Sequence, residues 1–290
     1  MPKILAAGGL GNQLFYWNVA HHLVLKHNCK VSIIYSKKDT SRKNELDFLK
    51  DFCLHDIKIE YIEWPFAWVR LISRINRRMG KTAGILTKLS RLYSTVLPGD
   101  TFDCYQRKPW LIQGYFQNPI FVVDNLNSYI DELLDSTSKT LNHKLESQLP
   151  SQRTSLHIRR GDFVHNAASV GLLTLEYFSK ISEKDEDVII CTDSHSDDPF
   201  MLSKFPTAKI VGSDTASTWE TFSVLSNSQK LIASNSTFSW WAGLLALRRG
   251  GVVFVPHPWT KTDVYGDNYL ESDLFTRVQA EFEQSTGEII

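Results

Sequence analysis

The chain has 290 residues, 42% of them hydrophobic and 22% charged, and its formal net charge is +0. That is the composition of an ordinary globular protein, and the length suits about two domains. A zero balance excludes a general nucleic-acid binder, which carries a basic excess, so any anionic ligand has to be met by local cations.

The chain opens on "KILAA", a short apolar run that reads as a strand. The glycine-rich "GGLGNQ", Gly8 to Gln13, breaks it. "LFYWNVAHHLVLKH" then has helical spacing, with Leu14, Trp17, Ala20 or His21, and Val24 on one side. "KVSIIY" is β-branched and returns as a strand, which completes a βαβ pattern and favours a parallel sheet. From Trp64 to Gly99 the chain carries seven Lys or Arg and no acid. There Leu71, Ile72, Ile75 and Met79 alternate with Arg70, Arg74, Arg77 and Arg78, the pattern of a basic amphipathic helix. Two readings stand: a solvated helix packed on a domain, or a patch that meets anionic lipid.

A polar helical stretch from Ser128 runs into Pro150, where the sequence places the joint between an N-terminal domain, 1–150, and a C-terminal one, 151–290. Beyond it βα alternation resumes. "TSLHIR", "DVIICTD", "AKIVG", "KLIASN" and "GVVFVP" read as strands; "TLEYFSKI", "ASTWETFSVLSN" and "STFSWWAGLLALR" read as helices. This is a Rossmann-like pattern, and ligands of such sheets bind at the carboxyl ends of the strands.

Four segments sit at such ends. "GGLGNQ" allows close backbone approach at a helix N-terminus, but it is neither G-x-G-x-x-G nor a P-loop. "HIRRGDF", His157 to Phe163, places adjacent arginines at a strand end, where their side chains start in opposite directions. Arg159 is the phosphate candidate because guanidinium is always charged and bonds bidentately; Arg160 is read as a structural pair or a rim contact. "SNSTFSWWAG" puts Ser236 or Thr237 at a helix cap, with free amides for a phosphate, and Trp240 and Trp241 in the core. "CTD" ends in Asp193, which can accept from a guanine edge or a ribose hydroxyl, or cap a helix. The dispersed Cys29, Cys53, Cys104 and Cys191 make no CxxC pair and read as reduced thiols. With no secretion signal and no apolar run near the roughly 20 residues that span a bilayer, the expectation is a cytoplasmic protein, or one peripheral on the cytoplasmic face of the inner membrane. The "NST" sequon would then be idle.

Together "GGLGNQLF", "HIRRGDF" and "SNSTFSWWA", in this order, resemble the motifs of the α-1,2-fucosyltransferase family, in its short bacterial form. The resemblance implies an α/β GT-B fold of two Rossmann-like domains facing a cleft. It implies GDP-L-fucose as a substrate, no cofactor and no metal. The reaction it implies is inverting transfer to the 2-hydroxyl of a galactose-terminated glycan, as in O-antigen synthesis. By position, Arg159 would neutralise charge on the departing GDP. His157, Ser236, Thr237, Phe238 and Ser239 would lie on the donor side, Asn12 would reach the diphosphate, and Asp193 would read the guanosine. Asp162 is the first choice for the base, with His157, Glu220, His21 and His22 as alternatives. Residues 36–110 match nothing and are assigned to the acceptor. The competing readings are a GT-B transferase for another nucleotide sugar and a non-catalytic nucleotide- or glycan-binding module.

Overall fold

The computed structural model describes residues 1–36, 45, 56–62, 93–96, 111–117, 122, 130–131, 133–135, 137, 149, 153–183, 187–262, 270 and 273–284. The chain divides into two compact units, Met1–Tyr129 and Ile130–Ile290.

In the first unit, strands β1 (Lys3–Leu5), β2 (Val31–Ser36), β3 (Ile57–Ile62), β4 (Tyr93–Val96) and β5 (Leu111–Gly114) form a parallel sheet in the order β3-β2-β1-β5-β4. The central β1 pairs Ile4 with Ile33 of β2 and Ile112 of β5, and all three side chains are buried. Helix α1 (Leu10–His27) follows β1. Its sequence suggested one apolar side, but it is buried nearly all round as far as Val24, with Gln13, Asn18 and His21 inside as well. A helix apolar on most faces is covered on most faces. It stops at Asn28, which takes the left-handed conformation, after Lys26 and His27 have met the negative end of the helix dipole. Of the expected basic helix at 64–99, Tyr93–Val96 is strand β4 instead, paired through Tyr93↔Leu111; the rest lies outside the described residues.

The second unit runs β6 (Thr154–Ile158), a 3-10 turn (Gly161–Asn166), α2 (Leu175–Ser182), β7 (Val188–Thr192), α3 (Pro199–Leu202), β8 (Lys209–Val211), α4 (Thr218–Ser226), β9 (Lys230–Ile232), α5 (Thr237–Arg248), β10 (Val252–His257) and β11 (Thr276–Gln279). The strands are all parallel, in the order β11-β10-β9-β6-β7-β8. β6 is buried along its whole length, as a central strand covered on both faces should be. Leu156, Ile158, Phe178, Ile190, Met201 and Ile232 make its core, and Trp240 and Trp241 are buried as expected. Helices α2 to α5 each start on a polar cap: Thr174, Asp198, Ser217 and Ser236.

The division between units falls ahead of Pro150. Described residues after Tyr129 are tied into the second unit: Arg249 donates to Leu134 O at 2.9 Å and Thr137 Oγ1 at 3.0 Å, and Ser223 Oγ donates to Thr137 O at 2.5 Å. Among the described residues, no helix is long and apolar enough to cross a membrane.

Candidate functional site

The strand order of the second sheet reverses between β6 and β9, and an open parallel sheet takes its ligand at such a point. "RRGD" leaves β6 there and "SNST" leaves β9 beside it.

The register Ile158↔Thr192 sets Asp193 next to Arg159. The Asp193 carboxylate pairs with Arg159 Nε at 3.1 Å through one oxygen and accepts the Arg160 backbone N–H at 2.9 Å through the other. Gly161 closes the turn against it; a Cβ there would collide with that carboxylate, so glycine is required by close approach. The Arg159 guanidinium stands 5.4 Å from the centre of the Phe163 ring. Arg160 leaves the other way, to Glu283 Oε1 at 2.6 Å, and is the structural pair its alternation on the strand predicts. The Asp193 carboxylate thus shapes the arginine turn, a role the sequence reading did not give it.

His157 is buried beneath the turn, its Nδ1 2.8 Å from Ser234 Oγ and its ring 5.3 Å from that of Phe238. Burial, and secondly the charge of Arg159, pull its pKa down to about 3. It is therefore neutral at pH 7 and too weak a base to take a hydroxyl proton efficiently. It braces the loop from below.

In the β9–α5 loop the hydroxyls serve the loop's own fold. Ser239 Oγ donates to Ser234 O at 3.0 Å and is fully buried. Ser236 caps α5 by accepting from the Phe238 amide at 3.3 Å. Asn235 donates both amide hydrogens, to Val170 O and Gly171 O at 3.1 Å each, and is buried, so the sequon is no acceptor for a glycan. Thr237 and Phe238 are half-buried at the mouth of α5, where the helix N-terminus favours an anion.

Among the other base candidates, Glu220 is engaged in a capping box: its Oε2 accepts from Ser217 N at 2.8 Å and Ser217 Oγ at 2.7 Å. His21 and His22 lie about 17 Å along α1 from the glycine loop, and burial lowers the pKa of His21. The Asp162 side chain is outside the described residues. Cys191 is buried, which pushes its thiol pKa far up, and Cys29 is half-buried; Cys53 and Cys104 are outside the described residues. Among the described residues, no three His, Cys, Asp or Glu side chains gather as a metal site.

In the first unit the glycine loop has its own frame. Gly8 has φ +94°, and a Cβ there would strike the Asn12 side chain. Gln117 Nε2 donates to Asn12 Oδ1 at 2.6 Å, which fixes the direction of the Asn12 amide. The buried Gln13 donates to Gly8 O at 3.0 Å and accepts from Tyr35 Oη at 3.0 Å. Sequence reasoning missed Gly161, Gln13, Gln117, Asn235 and Glu283. A glycine at a strand end was a signal for the first; the others depend on partners far away in the chain.

A sequence profile described as "Glycosyl transferase family 11" matches residues 69–272. The O-antigen biosynthesis glycosyltransferase WbnK of Escherichia coli is 25% identical over 285 residues, covering 87% of this chain and 93% of WbnK. An alpha-1,2-colitosyltransferase of Escherichia coli is 23% identical over 274 residues, covering 87% of this chain and 90% of the relative. Among solved structures, a mutant of Arabidopsis thaliana FUT1 in complex with GDP has a TM-score of 0.51 at 11% identity, over 90% of this chain and 72% of that one; this is a likeness of fold. The fold is of GT-B type, with two Rossmann-like parallel sheets, and the resemblance read from the three motifs is borne out.

Proposed function

Because the chain belongs to glycosyl transferase family 11, we propose that it moves L-fucose from GDP-β-L-fucose to the 2-hydroxyl of a galactoside, with inversion. The observation that carries this is the juxtaposition of the Arg159 turn and the α5 N-terminus at the ends of neighbouring strands, at the point where strand order reverses. Arg159 lies 3.1 Å from the Asp193 carboxylate through its Nε, and its guanidinium, which bonds phosphate bidentately, is the group for the diphosphate. The acceptor oxygen attacks the anomeric carbon as its bond to the phosphate oxygen breaks. Arg159 and the first-turn amides of α5 meet the charge that collects on GDP, so no metal is needed. Asp162 takes the hydroxyl proton. The acceptor is a galactose-terminated glycan, lipid-linked and met at the cytoplasmic face of the membrane. WbnK, whose name places it in O-antigen biosynthesis, supports a glycan acceptor.

A second donor is favoured by one observation: the other relative is named for transfer of colitose through the same α-1,2 linkage. The test is to incubate the chain with GDP-fucose, a colitosyl donor and UDP-galactose, with a galactoside panel, in excess EDTA, and to read the linkage by NMR. The expected result is an α-1,2-linked fucosyl product, undiminished by EDTA. Arg159→Ala should lower turnover about 10²- to 10³-fold, with no rescue by Arg159→Lys, which lacks the planar fork. Near-normal turnover in folded Arg159→Ala, or transfer from UDP-galactose alone, overturns the assignment.

A further inference from the structure

The strand-end turn carries two adjacent guanidinium groups, and each has its own carboxylate. Arg159 faces Asp193 at 3.1 Å, while Arg160 faces Glu283 at 2.6 Å, from a position 123 residues further on. The Arg160 guanidinium also lies 3.9 Å above the centre of the Phe200 ring. Glu283 stands on a short strap that follows β11. The strap is tied down by Ala280 N donating to His257 O at 2.9 Å, and by Glu283 N donating to Leu172 O at 2.7 Å. Thr174 N donates back to Glu281 O at 2.8 Å, and Lys261 Nζ donates to Glu283 O at 2.9 Å. Phe282 lies against Gly171, where a Cβ would strike its ring. Gly171 in turn is held by Asn235 of the β9–α5 loop. One segment therefore braces both loops of the candidate donor site.

We propose that Glu283, acting through Arg160, is a positioning residue that keeps the Arg159 turn in its phosphate-binding shape; this rests on the nucleotide-sugar reading above. The reason is competition. Asp193 already accepts the Arg160 backbone N–H, so a second carboxylate stands beside this residue. An Arg160 without Glu283 would swing toward it. Asp193 would then divide its charge between two guanidinium groups, and Arg159 would lose the contact that sets its fork. Glu283 on one side and the Phe200 ring on the other hold Arg160 away.

GDP binding by calorimetry and steady-state kinetics on the full chain test this. Glu283→Ala should weaken GDP binding and kcat/KM about tenfold with an unchanged circular dichroism spectrum, and Glu283→Gln, which keeps an acceptor oxygen, should lose less. The double variant Arg160→Met with Glu283→Ala is the discriminating one. Methionine keeps the contact with Phe200 but cannot compete for Asp193, so the double variant should regain most of the GDP affinity that Glu283→Ala loses. A merely structural strap gives additive losses instead. The proposal is overturned if Glu283→Ala binds GDP within about twofold of wild type, or if the double variant binds no better than the single one. If the wild-type chain itself binds no GDP, the donor reading falls and this proposal falls with it.

Discussion

His157 shows how one side chain can serve a site without touching a proton in it. Its neutral ring lies under the β9–α5 loop, against Ser234 and Phe238, with Arg159 two residues along the chain. Folding lowers its pKa from 6.5 to about 3, first through burial and then through the arginine. The unfolded chain therefore binds a proton below about pH 6.5 that the folded chain refuses down to about pH 3. Stability is complete above that window and is lost as the pH falls through it, by about 1.4 kcal/mol per pH unit for this group. Between neutral pH and about pH 5 the loss is on the order of 2 kcal/mol, and the lowered pKa of His21 acts in the same direction. His157→Asn keeps a polar partner for Ser234 and removes the titration. Its melting temperature should fall less steeply with acid than that of wild type, even if it starts lower at pH 7. Equal acid slopes would remove His157 from the account.

The glycine loop between β1 and α1 separates two uses of glycine in neighbouring positions. Gly8 has φ +94° and packs against the Asn12 side chain, whereas Gly9, at φ −74°, has open space around its Cα. Alanine at position 8 should cost about 1–2 kcal/mol for the left-handed backbone, with more from displacing Asn12 off Gln117. Serine at position 9 fits the extended N-cap geometry and should leave stability unchanged or raise it by a few tenths of a kcal/mol. Thermal unfolding of Gly8→Ala and Gly9→Ser checks this, and equal losses in both would contradict it. The sequence showed the loop and the strand–helix alternation around it, since β-branched runs such as "VSIIY" are local signals. It did not show β3, whose "IKIEYI" alternates charge with apolar residues, or β11, whose "TRVQ" pairs only at the sheet edge. In the candidate site, Arg159 was legible from its strand end and its motif. Its frame was not, because Asp193, Asn235 and Glu283 reach it only through strand register and loop closure.

At the scale of the whole molecule, the balance of charge hides a local excess. The chain is neutral overall, yet Trp64 to Gly99 holds seven basic residues and no acid. No acid within that stretch of sequence offsets them, and exposed charges are screened beyond roughly 10 Å at 0.1 M salt. Each Lys or Arg near an anionic bilayer contributes on the order of 1 kcal/mol, so a few engaged together give reversible attachment. Attachment would bring the chain to a lipid-linked acceptor. Wild-type protein should therefore pellet with anionic vesicles at low salt and be released as salt rises. Replacing Arg70, Arg74, Arg77 and Arg78 together by Gln should remove most of that binding while leaving turnover on a soluble galactoside within about twofold of wild type. Lost vesicle attachment with intact soluble turnover separates delivery to a surface from chemistry at the donor site. Wild-type protein that stays in the supernatant with anionic lipid at low salt would leave the segment as an ordinary solvated face, with no part in reaching the acceptor.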